Sequence, residues 1–192
     1  HLLSKNERKL IVIYSPFPDA LEHRFGVFSA EVREFMQKFN FALEKFLSKT
    51  KETNSSFIIS ADHGLIDVKK YHHLNTQNPI YRNLILPVFP EPRFASFFVK
   101  PHRIAEFEES IKPLKDDFLF LKREEFLHSA LLGNIKLHPR LDDFIGNYVG
   151  IAVSDSAFKN DFPNSAGNHE FKAHHSGLTA AEMLVPLIKI DF

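Results

Sequence analysis

The chain has 192 residues, 44% of them hydrophobic, which suffices for one domain, or one core with a small insert, around a real hydrophobic interior. Lys plus Arg and Asp plus Glu number 24 each, so no net field draws the chain to nucleic acid or to an anionic membrane, and an anionic substrate has to be held locally. Cysteine is absent, which excludes disulfides, thiol catalysis and thiolate metal sites, and no apolar run approaches the roughly 20 residues of a membrane span.

The sequence opens HLLSKNERKLIVIYS, without Met and with a strand-like run almost at once, so a natural N-terminus further upstream is expected. The compartment stays open, with the cytoplasm favoured over an extracytoplasmic site. LIVIYS, Leu10 to Ser15, is a continuous apolar run followed by the turn formers SPFPD, which predicts a buried strand with Asp19 just past its end. From Ser29, suited to an N-cap, Val32, Phe35, Met36, Phe39, Leu43, Phe46 and Leu47 recur at three- and four-residue steps and predict an amphipathic helix packed on a sheet. KTKETNSS then leads into the strand SFIIS, which stops at Asp62, His63 and Gly64. Strand, helix and strand in this order form the crossover of a parallel sheet, which places Asp19 and Asp62 on the same sheet edge.

KKYHHLN, with His72 and His73, reads as a polar loop. Between Pro87 and Gly146 the texture changes to a small α+β insert. FASFFVK is its first strand, a helix spans His102 to Lys112, FLFL is a short strand, and KREEFLHSALLG is a second helix. NYVGIAVSD returns to a buried strand, and AAEMLVPLIKIDF gives a short helix, stopped by Pro186 near Leu184 or Val185, and a terminal strand.

Three stretches carry residues suited to chemistry. In PDALEHRFG, Asp19 and His23 are four apart, so on a helix they share a face, and a carboxylate with an imidazole can ligate zinc or manganese. The spacing alone is weak, because an exposed Asp and His at a helix start is the commoner outcome. In SADHGLIDV, Asp62 and His63 stand at a strand end, where Gly64 supplies freedom to bend; a turn Asp and a surface His is the bland alternative. In AHHSGLTAAEMLVPLI, His174 and His175 precede a small-residue turn, which a solvated loop would also explain.

Together and in this order, the three motifs resemble the carboxyl-terminal part of type I phosphodiesterase/nucleotide pyrophosphatase enzymes of the alkaline phosphatase superfamily. The resemblance implies an α/β fold with a doubly wound, mostly parallel sheet and a small α+β insert. It divides the chain into a second part of the metallo-hydrolase core (1–90), a cap-like insert (91–146) and a return to the core (147–192). It also implies two divalent metal ions, zinc first and manganese or iron as alternatives. One would be held by Asp19, His23 and His175 and the other by Asp62 and His63, with His174 the lesser candidate. Such a pair stabilises the charge of a phosphoryl group in transfer. The substrate would be a small phosphate ester or nucleotide, with no nucleic-acid partner.

The resemblance also carries departures. The family's nucleophile and a further Asp lie upstream of anything in this chain, so the chain alone is expected to hydrolyse little. Glu22 stands where a glycine often precedes the histidine, and Ser176 where glycine is common; both bear on loop shape. Beside the phosphodiesterase reading stand a sulfatase or phosphomutase relative, a noncatalytic module binding a phospho-ligand or a protein on the same fold, and an α/β domain with ordinary surface His and Asp. Outside the motifs, His138 reads as a turn residue with Arg140 able to face a phosphate, and His169 and Glu170 as a solvated loop or as orienters of His175.

Overall fold

The computed structural model describes residues 7–134, 136–162 and 170–192. Its centre of mass in packing terms is a four-stranded antiparallel sheet in the order β4 (Phe89–Glu91), β5 (Phe94–Phe97), β7 (Tyr148–Ala152), β6 (Phe118–Lys122). β7 is buried along its whole length. At Gly150 an added Cβ would lie 2.9 Å from the Phe120 ring and 3.0 Å from that of Phe97, so the missing side chain is what lets these rings close over the strand. Phe97, Phe107, Phe118, Phe158 and Leu74 form the main hydrophobic cluster, and Phe118 stacks on Phe158 with centroids 4.1 Å apart. Helix α4 (Ile104–Ile111) covers the sheet through Phe107 and Ile111.

The remaining strands are paired in twos. β1 (Ser56–Ser60) runs antiparallel to β10 (Leu187–Asp191), β2 (Ile66–Asp67) antiparallel to β9 (Ala173–His174), and β3 (Lys70–Leu74) parallel to β8 (Ser156–Asn160). Among the described residues β3–β8 is the parallel pair. Helix α2 (Ala30–Ser48) starts at Ser29, whose extended backbone lets the side chain accept from the Val32 N–H at 3.3 Å. It buries Val32 but leaves Met36, Phe39 and Phe46 exposed. Helix α6 (Ala180–Met183) ends with Leu184 as its C-cap, as Pro186 requires. No helix among the described residues is long and apolar enough to cross a membrane.

Several local expectations change. Leu10–Ser15 lies in no strand and has no strand partner among the described residues, and Leu10, Val12 and Ile13 are 89, 81 and 84% exposed. Apolar β-branched content makes a segment fit for a strand; pairing and cover make it one. His72 and His73 lie within β3 rather than in a loop, because main-chain bonds to β8 do not depend on side-chain polarity. KREEFLHSALLG forms α5 (Arg123–Leu127) and then a separate 3-10 turn over Ala130–Leu132. The break is at Ser129, whose hydroxyl accepts from the Leu131 N–H at 3.3 Å and restarts the chain.

Candidate metal centre

Three segments converge at one end of β1 and β9. Asp19 and His23 occupy the first and last turns of α1 (Asp19–Phe25), on one helix face, with His23 Nε2 3.2 Å from Asp19 Oδ1. The helix is fixed to β9 by two bonds at His23: Lys172 N–H donates to the His23 carbonyl at 2.8 Å, and His23 Nδ1 donates to the Ala173 carbonyl at 2.7 Å. The following turn is held by Asp67, whose Oδ1 accepts from the Val27 N–H at 2.8 Å.

Asp62 and His63 follow β1 in a turn closed by α6. The Gly64 N–H donates to the Glu182 carbonyl at 2.9 Å, and a Cβ on Gly64 would stand 2.0 Å from the Ala181 carbonyl oxygen. Gly64 therefore serves close approach of two backbones; the described glycines with left-handed φ are Gly26 and Gly133. His63 Nδ1 donates to the Gly64 carbonyl at 3.1 Å, and its Nε2 is 3.8 Å from Asp62 Oδ1. His175 follows β9, stacks on His63 with ring centroids 3.9 Å apart, and has its Nδ1 2.8 Å from the Ser176 hydroxyl. Ser176 adopts φ 81°, the left-handed region that favours glycine.

Asp19, His63 and His175 each offer a ligand atom, and these atoms lie within 4.8 Å of one another. That separation is close to the span of two coordination bonds of roughly 2 Å each. Carbonyl oxygens only accept, so the His23 and His63 Nδ1 atoms carry protons, and each ring turns its Nε2 toward a carboxylate. Asp19 Oδ1 is buried and accepts no hydrogen bond among the described residues. A carboxylate oxygen facing an imidazole Nε2 takes either a proton or a cation between them, and this donor set suits a divalent ion.

Electrostatics disfavour the charged forms of His175 and His174. Burial, reinforced by the neighbouring His63 and His23, holds His175 below its ordinary value; Glu91 and Asp19 oppose this. His174, packed among His23, Tyr71 and Phe171, is pushed down to about 4 by burial and then by His23 and His175. Glu22 is half-buried, and burial followed by Asp19 raises its carboxyl.

The structure thus gathers Asp19, His63 and His175, with His23 against Asp19 and against the His175 ring at 5.3 Å. Asp62 sits apart on the exposed side of its turn, with a side chain 71% exposed. Arg140 pairs with Asp143, and Glu170 with His73 and Lys159. His169 lies outside the described residues. Sequence reading missed Arg93 and Glu182, buried behind the His175 turn. The spacing Thr179-x-x-Glu182 was the available signal, since it forms a capping box on α6.

Comparison with known proteins completes the description. No curated protein sequence matches the chain. Human ectonucleotide pyrophosphatase/phosphodiesterase 5 superposes with a TM-score of 0.65 at 14% identity, covering 90% of this chain and 44% of that one. The murine protein gives 0.59 at 16%, covering 89% and 44%. Phosphonoacetate hydrolase from Sinorhizobium meliloti 1021, in complex with phosphonoformate, gives 0.60 at 18%, covering 89% and 43%. These neighbours have the alkaline phosphatase-like α/β fold that the motifs imply, and the chain spans less than half the length of each. The family profile of type I phosphodiesterase / nucleotide pyrophosphatase matches residues 2–159, more than half of the chain. With that match and the fold in agreement, the chain belongs to the type I phosphodiesterase/nucleotide pyrophosphatase family.

Proposed function

We propose that the chain holds the metal-binding part of a metal-dependent phosphate-ester hydrolase of the phosphodiesterase/nucleotide pyrophosphatase type. The observation that carries this reading is the convergence of Asp19, His63 and His175 donors from three distant segments, with the buried Asp19 Oδ1 also 3.2 Å from His23 Nε2. Asp19, His23 and His175 would hold one divalent ion and Asp62 with His63 a second, zinc suiting the donors best and manganese or iron being alternatives. When bound, such ions supply positive charge for the phosphoryl oxygens and activate the attacking oxygen.

The chain's own residues do the positioning. The Ala173 and Gly64 carbonyls fix the protons of His23 and His63 on Nδ1, so both rings present Nε2 toward the carboxylates without a tautomeric search. The Ser176 hydroxyl, 2.8 Å from His175 Nδ1, orients that ring as either donor or acceptor. Because an imidazole ligand brings no negative charge and the carboxylates are few, a bound pair of ions would keep net positive charge and would draw an anionic ester although the chain as a whole is neutral. The substrate class is a small phosphate ester or nucleotide; an inactive variant of the murine neighbour was solved in complex with AMP. Residues 91–146 would supply the cap-like insert and 1–90 with 147–192 the metal-bearing core, a division supported by the ligand-bearing turns all falling outside 91–146, while the sheet of the insert also takes in β4 and β7 from its two flanks.

Cobalt(II) titration of the chain, followed by visible absorption, tests the reading. Tight binding is expected, and Asp19→Ala or His175→Ala should weaken it by at least about tenfold. Absence of saturable binding by the parent chain overturns the proposal. A longer polypeptide with the rest of the relatives' fold should cleave a bis-aryl phosphate diester far faster than this chain, and equal rates would refute the assignment of the nucleophile to another segment.

A further inference from the structure

We infer that the buried Arg93–Glu182 pair is the positioning couple of the metal centre, setting the distance between the Asp62–Gly64 turn and the His175–Gly177 turn and tying both to the insert sheet. This rests on the metal reading above and extends it to residues that touch no ion.

Arg93, in the turn between β4 and β5, is 0% exposed, and Glu182 is buried beside it. Arg93 Nε donates to Glu182 Oε1 at 2.5 Å and Nη2 to Oε2 at 2.7 Å, while Nη1 donates to the Ser156 carbonyl at 2.5 Å and Nη2 also to the Ser154 carbonyl at 2.8 Å. Glu182 then reaches both ligand turns. Its Oε1 accepts from the Gly177 N–H at 2.9 Å, two residues beyond His175, and its own carbonyl accepts from the Gly64 N–H at 2.9 Å, one residue beyond His63. Its Oε2 takes the Thr179 hydroxyl at 2.6 Å and so closes α6 on itself.

Space enforces the same arrangement. A Cβ on Gly177 would lie 2.7 Å from Arg93 Nη2 and 2.8 Å from both Ala152 O and Glu182 Oε2. The Ala152 N–H donates to the Arg93 carbonyl at 2.9 Å, which anchors the pair to β7 of the insert sheet. Burial pushes the Glu182 carboxyl up, but the bonds from Arg93, Thr179 and Gly177 outweigh it and hold it below its ordinary value. Apolar residues of similar volume can match a buried ion pair in stability, because desolvation offsets most of the attraction. What apolar residues cannot supply is an acceptor for the Gly177 N–H at a fixed place, and that acceptor positions the His175 turn relative to His63.

The test compares the parent chain with Arg93→Met/Glu182→Met, with Glu182→Gln and with Phe118→Leu, a core substitution remote from α6. Cobalt(II) affinity, thermal melting and the amide NMR shifts of Gly64 and Gly177 in metal-free protein are measured for each. The Met pair is expected to melt close to the parent, to shift both glycine amides, and to weaken cobalt(II) binding about 10- to 100-fold, the usual loss when outer support of ligands is removed. Phe118→Leu should lower the melting temperature and leave affinity and both amides unchanged. Should the Met pair fail to fold, Glu182→Gln, isosteric but uncharged, is read instead, with a smaller loss of affinity expected and parent-like affinity counting against the proposal. Parent-like cobalt(II) affinity in the Met pair, or equal weakening by Phe118→Leu, overturns it. If the parent itself binds no cobalt(II), the metal reading fails, and unchanged glycine amides in the Met pair would then overturn the coupling separately.

Discussion

At the scale of single residues, Ser176 combines two opposed effects. Its φ of 81° is costly for any residue with a Cβ, while its hydroxyl lies 2.8 Å from His175 Nδ1 and orients that ring. Ser176→Gly should therefore stabilise the chain by about 0.5–1 kcal/mol by releasing left-handed strain. The same change should weaken cobalt(II) binding several-fold, because the imidazole loses its fixed partner. Calorimetric melting and metal titration of one variant check both halves, and a variant improved or worsened in both would contradict the account. The sequence exposed the glycine-like position through the family pattern, and it exposed Asp19, His63 and His175 because their motifs are local. It hid the partnership of Arg93 with Glu182, which are 89 positions apart and meet only after the insert sheet and α6 have docked.

Among the elements, β3 shows how a short polar strand is secured. Asp117, at the entry to β6, accepts from Lys70 Nζ at 2.8 Å, from Ser154 Oγ at 3.0 Å and from His72 Nε2 at 2.9 Å, linking β3 to the insert and to the β7–β8 turn. Burial raises the Asp117 carboxyl, but the bonds from Lys70, Ser154 and His72 more than offset it and bring it down to about 2 from 3.8. A carboxyl depressed in the folded state adds stability that is complete above its ordinary value and is lost as pH falls through the folded one. Stability should thus drop by about 1–2 kcal/mol between pH 4 and pH 2, after allowance for solvent screening of a partly exposed group. Asp117→Asn should be less stable at neutral pH and lose this component of acid sensitivity, as urea titrations at several pH values would show; an unchanged acid slope would refute the link. His72 and His73 read as loop because alternation was hidden by polar side chains on both faces, whereas β8 supplies the parallel main-chain partner that decides the matter. The amphipathic α2, by contrast, was legible from its spacing and its Ser29 cap, since both signals lie within the helix itself.

For the molecule as a whole, hydrophobic cover is uneven. The Phe-rich sheet of β4, β5, β7 and β6 is closed over by α4 and β8, while the metal-bearing side leaves Leu10, Val12, Ile13, Ile58 and Leu187 in the open, with Val12 at 81% and Leu187 at 77% exposure. The α/β class could be read from pattern, because periodicity reports which faces are apolar, but the expected parallel crossover from Leu10 through α2 to β1 does not form: Leu10–Ser15 is in no strand, and β1 pairs antiparallel with β10. What covers an apolar face is a long-range property, and this chain spans less than half the length of the structures it resembles. Exposed apolar side chains in such number bind hydrophobic dyes and promote association. We therefore expect the 192-residue chain to enhance the fluorescence of an anilinonaphthalene dye while fully folded. Val12→Lys/Leu187→Lys should cut that signal and reduce association in sedimentation, and because both side chains already face solvent, stability should change by no more than about 0.5 kcal/mol. A marked fall in melting temperature would mean instead that these positions are covered in solution, and that Leu10–Ser15 has found the strand partner its composition calls for.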